Sequence, residues 1–144
     1  MENYKLNAFN RFFLDRNINY RFASSIPDPY KFLIINKTPI YARLANTPQL
    51  TEKGLMGVSE LGHNEGCLLV FASESPATLW MKNCKMNLQA ATIDNTGKIV
   101  DILDMYYADP YRVHYSSKPI RYVLEMKEGF FSKNRIKAGD IVKI

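Results

Sequence analysis

The sequence predicts a mainly β domain, β-rich α+β in class: a small barrel-like mixed sheet with two or three short helices. Short apolar runs, alternating or continuous, recur from Phe32 to the end of the chain, which is the texture of strands rather than of long amphipathic helices. Turn residues separate them, above all Asn36-Lys37-Thr38-Pro39 and Asp94-Asn95-Thr96-Gly97,. At 144 residues, 47% hydrophobic and 23% charged, the chain is long enough to bury one core and too short to expect two.

Taken in order, Leu6, Phe9, Phe13 and Leu14 recur at near-helical spacing between Asn3 and Asn17, with Lys5, Arg11 and Arg16 elsewhere on the wheel. This predicts a short amphipathic helix whose aromatic face either covers the domain or docks on a partner or membrane. Ile18, Tyr20 and Phe22 alternate as a short strand, and the prolines of Ser24-Ser25-Ile26-Pro27-Asp28-Pro29 force a loop,. Residues 1–29 thus read as a basic amphipathic extension and residues 30–144 as a single domain, expected to stay folded when the extension is removed.

Phe32 to Ile35 and Ile40 to Ala45 read as a hairpin, and Thr47-Pro48 as a helix start, with Thr capping and Pro at the first turn; that helix is expected to reach Leu55 or Met56,. Gly66 to Phe71 is a continuous apolar run of strand length, expected at the centre with both faces buried,. Thr78 to Met81, Leu88 to Ile93, Ile99 to Leu103 and Arg121 to Met126 follow as strands, and Lys127 to Asn134 as one or two helical turns. A Gly139-Asp140 turn feeds a last alternating strand, an ending suited to closing a small barrel,.

Charge and cysteine content narrow the function classes. The net charge of +5 is uneven: residues 1–43 hold seven Lys/Arg against three Asp/Glu, whereas residues 44–144 hold twelve against eleven. A nearly neutral body argues against a nucleic-acid-tracking domain. Cys67 and Cys84 have no Cys-x-x-Cys spacing, and with His63 and His114 they form no zinc-finger arrangement, so no metal and no cofactor are expected,. Their pairing stays open, with two reduced thiols in or near the core as the expectation. No apolar run approaches the roughly 18 residues of a bilayer span, nor is there a signal peptide's apolar stretch,. A cytoplasmic protein is expected, with later incorporation into a virion left open.

Several landmarks coincide in order: Leu44-Ala45, Gly54-Leu55-Met56-Gly57, Gly66-Cys67-Leu68-Leu69-Val70-Phe71, Trp80-Met81-Lys82-Asn83, Ile93-Asp94, Tyr122-Val123-Leu124-Glu125-Met126, Gly129 and Gly139-Asp140. From about Phe32 to Ile144 the chain closely resembles domain-of-unknown-function family 192. The resemblance implies a small barrel-like mixed-strand domain with short helices, and no established reaction. Gln89 stands where the family pattern has an acidic residue and Cys84 where it has a small hydroxyl residue, which puts any role of that carboxylate in doubt.

Trp80, Lys82 and Asn83 form the most pointed cluster, because alternation along a strand would aim Trp80 and Lys82 the same way,. Such a pair can stack on a planar ligand and hold an anion; equally, the Trp can be core and the Lys can reach past it to solvent. The Tyr115-Ser116-Ser117-Lys118-Pro119 stretch offers hydroxyls on a loop, as binding loops and ordinary turns both do,. Glu125, inside an apolar strand, either faces solvent or is buried against a cation such as Arg121 or Lys82,. Cys84 with His63 or His114 would give a thiolate and a base, but neither histidine sits in a cysteine-hydrolase signature, so an inert thiol is favoured,.

The expected function is therefore a non-enzymatic binding or assembly module for a small molecule or a protein surface, with an accessory role in a phage particle as one setting. Its binding residues would be Trp80, Lys82, Asn83, Tyr115, Ser116, Arg121 and Glu125. The alternative is a hydrolase or transferase using Glu125 as acid or base beside Lys82. Nucleic acid is not the expected partner, and oligomeric state is left open.

Overall fold

A computed structural model describes residues 30–144; the helix, strand and loop expected over residues 3–29 lie outside the described residues. The first hairpin pairs β1 (Tyr30–Ile35) with β2 (Thr38–Ala45) in antiparallel register, Ile35 opposite Thr38. Its turn is tighter than the four residues expected, because only Asn36 and Lys37 lie outside the ladder and both take positive φ, 48° and 67°. Two successive positive φ values match the right-handed twist of the flanking strands. A helix α1 (Pro48–Lys53) follows, with Thr47 Oγ1 accepting from the Leu50 N–H at 3.2 Å and Pro48 in the first turn. It stops short of the expected Leu55, since Gly54 leaves helical backbone at φ 46° and ψ −121°.

The remaining elements are β3 (Glu65–Ser75), β4 (Thr78–Leu79), β5 (Leu88–Ile93), β6 (Ile99–Met105), β7 (His114–Tyr115), β8 (Ile120–Lys127), α2 (Phe130–Lys133) and β9 (Val142–Lys143). Seven strands form one curled sheet in the order β6-β5-β8-β3-β2-β1-β9, while β4 and β7 make a separate pair. β2 and β3 run parallel and the other paired neighbours run antiparallel. The Gly139-Asp140 turn carries the chain back to the opposite edge: Gly139 N–H donates to the Ile99 carbonyl at 2.8 Å, Ile99 N–H to Asp140 at 2.9 Å, and Val142 N–H to Gly97 at 2.8 Å. The sheet is a curled half-barrel whose two edges touch at one end.

Both faces of the central strands are covered, which is why Gly66 to Phe71 of β3 reads as a continuous apolar run,. The inner face packs Leu33, Ile35, Ile40, Leu68, Ala91, Ile93, Leu124 and Val142 against Phe130 and Phe131 of α2. The outer face of β3, β5 and β8 packs Cys67, Leu69, Leu88, Ala90 and Val123 under Leu55, Ala77 and Met81, which come from the segments flanking α1 and β4. Gln89 faces inward and is buried; its Nε2 donates to Asp104 Oδ1 at 2.8 Å and its Oε1 accepts from the Phe131 N–H at 3.1 Å. An amide serves both partners, whereas an ionised acid could not donate to Asp104.

The hairpin turn generates a first prediction. Lys37 holds a left-handed backbone that glycine adopts freely, so Lys37→Gly should raise the unfolding free energy by about 0.5–1 kcal/mol, read as a higher urea midpoint at unchanged slope,.

Candidate functional site

One cleft, about 220 Å³ in volume, opens on the outer face between the sheet and its two covering segments. The sheet supplies Leu69, Phe71 and Glu125; the stretch after α1 supplies Gly54, Leu55 and Met56; the stretch after β4 supplies Trp80 and Cys84. Two backbone devices shape it. Between Val70 and Ser75 the β3–β8 register shifts, so β3 bulges and Phe71 is released toward the cleft,. The Gly57 N–H donates to the Asn83 carbonyl at 2.9 Å, tying the two covering segments to each other.

Glu125 is the chemically distinctive member. It lies opposite Cys67 on β3 and Ala90 on β5, in the middle of the outer face. Its side chain is fully buried, and among the described residues its Oε1 has no hydrogen-bond partner. Gly54 packs directly against that oxygen: a Cβ on Gly54 would stand 2.7 Å from Oε1, so only a glycine lets the main chain come this close to the acid,. Burial disfavours the charged carboxylate and pushes Glu125 up to about 7, and among the described residues no cation offsets it,.

The expected alternatives for Glu125, solvent exposure or a buried ion pair with Arg121 or Lys82, are both corrected. Arg121 Nε donates to the Phe71 carbonyl at 2.6 Å, inside the bulge, and its Nη1 to Asn95 Oδ1 at 3.4 Å. Lys82 sits instead with its Nζ 5.2 Å from the centre of the Trp80 ring. Trp80 and Lys82 do share a side, though not by strand alternation as expected, because β4 ends at Leu79 and both residues lie beyond it. Met81 between them is fully buried, while Trp80 is 41% exposed and meets the Tyr111 ring edge-on at 6.4 Å.

Of the sequence-predicted residues, Trp80 and Glu125 line the cleft, and Lys82 touches it through the Trp80 ring. Tyr115 and Ser116 do not line it. Tyr115 is 67% exposed on β7, and Ser116 Oγ accepts from the Ala77 N–H at 3.0 Å, so this stretch straps β4 down. Asn83 takes a left-handed backbone, φ 62°, and contributes its carbonyl to the Gly57 tie. Cys67 and Cys84 are both free. Burial and the charge of Glu125 push the Cys84 thiol up to about 11, which leaves it a thiol at neutral pH and a poor nucleophile,. Neither His63 nor His114 lines the cleft. Among the described residues no cluster of His, Cys, Asp and Glu could hold a metal ion, and no helix is long and apolar enough to cross a membrane.

Sequence reasoning missed Gly54, Phe71 and Cys84 as cleft residues. Gly54 and Phe71 stood in the family landmarks and Cys84 among the departures, but nothing local in sequence says that a loop glycine will pass over an acid some seventy positions away.

The model of domain-of-unknown-function family 192, described as an uncharacterized ACR, matches residues 32–144. The chain belongs to this family. Two solved structures are similar. One, from Sinorhizobium meliloti 1021, is described as a candidate transcription regulator; it is 26% identical, with a TM-score of 0.74 over 82% of this chain and 97% of that one. The other, a protein of unknown function from Novosphingobium aromaticivorans DSM 12444, is also 26% identical, with a TM-score of 0.73 over 80% of this chain and 85% of that one. No curated protein matches the chain.

The acid makes stability depend on pH in a defined direction. The unfolded chain loses the Glu125 proton near 4.5 and the folded chain near 7, so below 4.5 both states are neutral there. Between the two values the fold holds a proton that the unfolded chain has released, and stability falls as pH rises; above 7 the loss is complete,. Relative to Glu125→Gln, the wild type should lose on the order of 3 kcal/mol between pH 4.5 and 7, measured by urea unfolding at a series of pH values,.

Proposed function

We propose that this protein is a binding module that takes a small molecule into the cleft between Trp80 and Glu125. The observation that carries the reading is an unsatisfied, fully buried carboxyl oxygen at a cavity whose walls are largely apolar. Folded proteins pair buried polar atoms, and an orphan costs about 1–3 kcal/mol, so a site that keeps one has a use for it. Leu69, Phe71, Leu79 and Trp80 supply dispersion and stacking, and Glu125 supplies one polar anchor, the usual division of labour in a small-molecule site,. At about 220 Å³ the cleft is below the ~300–1,000 Å³ of drug-sized sites, which favours a compact ligand,.

One observation favours a second reading, a hydrolase or transferase. A carboxyl raised to about 7 beside a cleft is poised for general acid or base work at neutral pH,. The first reading has more support, because the Cys84 thiol is held protonated and Lys82 is engaged with Trp80. The Sinorhizobium relative's description as a candidate transcription regulator would require a surface for phosphates if carried over, and residues 44–144, with twelve basic and eleven acidic side chains, offer little net charge for one,.

Trp80 is the chain's single tryptophan and makes the test direct. In a compound-library screen followed by its fluorescence, ligands should quench or shift the Trp80 emission, and Leu69→Trp, which fills the cleft, should abolish their binding as read by calorimetry. Tyr115→Phe should leave affinity within about twofold, since that side chain projects to solvent,. Turnover in a hydrolase and transferase screen that vanishes in Glu125→Gln would instead establish the enzyme reading.

A further inference from the structure

Resting on that reading of the cleft, we propose that its ligand is a small amine, with the ammonium group donating to the Glu125 carboxylate where it borders the cleft and the apolar body lying against Trp80, Leu79 and Phe71. The polar anchor is an acceptor without a donor. Oε1 is buried against Gly54 with no hydrogen-bond partner among the described residues, and the Glu125 side chain borders the cleft. A neutral donor would satisfy the oxygen's hydrogen bond but leave the carboxylate charge unpaired in an apolar wall, whereas a cation satisfies both. An anionic ligand would meet the same charge as repulsion.

The size of the cleft selects among cations. A guanidinium donates through a broad planar fork, while an ammonium is a compact point donor. At about 220 Å³ the cleft favours the more compact of the two,. The Trp80 ring is no competing seat for the cation, because Lys82 Nζ already stands 5.2 Å from its centre,. Lys53 lines the cleft as well, but Glu52 beside it on α1 carries the opposite charge, leaving Glu125 as the dominant charge at the cleft floor.

Binding an ammonium also requires Glu125 to be ionised. Below about 7 the acid is mostly protonated, so an entering amine displaces that proton to solvent and forms the ion pair; above it the carboxylate is ready,. Amine affinity should therefore rise with pH across the neutral range, while a neutral analogue of the same shape gains nothing.

The test titrates the full chain with benzylamine, benzyl alcohol and benzoate at pH 5.5 and 7.5, following Trp80 fluorescence and heat. Benzylamine should bind saturably, at least tenfold tighter at pH 7.5 than at 5.5, and at least tenfold tighter than benzyl alcohol at pH 7.5. Glu125→Gln should remove that preference. If benzyl alcohol or benzoate binds as well as benzylamine and Leu69→Trp blocks it, the amine assignment falls and the cleft reading stands. Amine binding indifferent to pH overturns the assignment even where Glu125→Gln does not fold. No response to any of the three probes overturns the amine assignment and counts against the cleft.

Discussion

Everything distinctive about this domain follows from covering both faces of β3, β5 and β8. Most small antiparallel sheets leave one face to water and alternate polar with apolar residues. Here the curl of the sheet buries one face, and the excursions around α1 and β4 bury the other. A residue placed on the outer face of the middle strand then has no route to solvent except through the cover. Glu125 is that residue, and among the described residues no cation partners it, which turns a structural constraint into a chemical one.

The cover closes over Oε1 but leaves the Glu125 side chain at the edge of a cleft. The bulge in β3, held by Arg121 on the Phe71 carbonyl, lies beside β8. Gly54 passes directly over Oε1, where any side chain would collide with it. The Asn83–Gly57 tie holds the two covering segments as the rims of one opening. A buried ion pair would have been the alternative, but Lys82, the cation proposed for it, stands on Trp80 instead. The arrangement gives up stability at neutral pH to keep an unmatched acceptor, as binding sites do.

The strands were legible because their signals are local. The continuous apolar run at Gly66 to Phe71 and the strand expected at Leu88 to Ile93 both lie in strands buried on both faces, and Asp94 to Gly97 became the turn its residues demand, with Asp94 Oδ1 accepting from the Thr96 and Lys98 N–H groups. Thr78 to Met81 was less legible: its apolar pattern continues past Leu79, but Met81 turns into the outer core and Trp80 out toward the cleft, so the strand ends early. Of the site, sequence marked Trp80 and Glu125 as chemically conspicuous. It could not show that they share a cleft while Tyr115, Ser116 and Arg121 serve elsewhere, because that depends on the bulge register and the path of a loop, which are set by tertiary packing.

The central claim is that Glu125 is a buried acid without a counter-ion, and its own titration tests this most directly. Carbon-13 NMR of the glutamate side-chain carboxyls, with the resonance assigned by its loss in Glu125→Gln, reports the midpoint without reference to stability or ligand. The account predicts a midpoint near 7, well above the ordinary glutamate value,. A midpoint in the ordinary range, about 4.3, would mean that water or a cation reaches Oε1, and would contradict it.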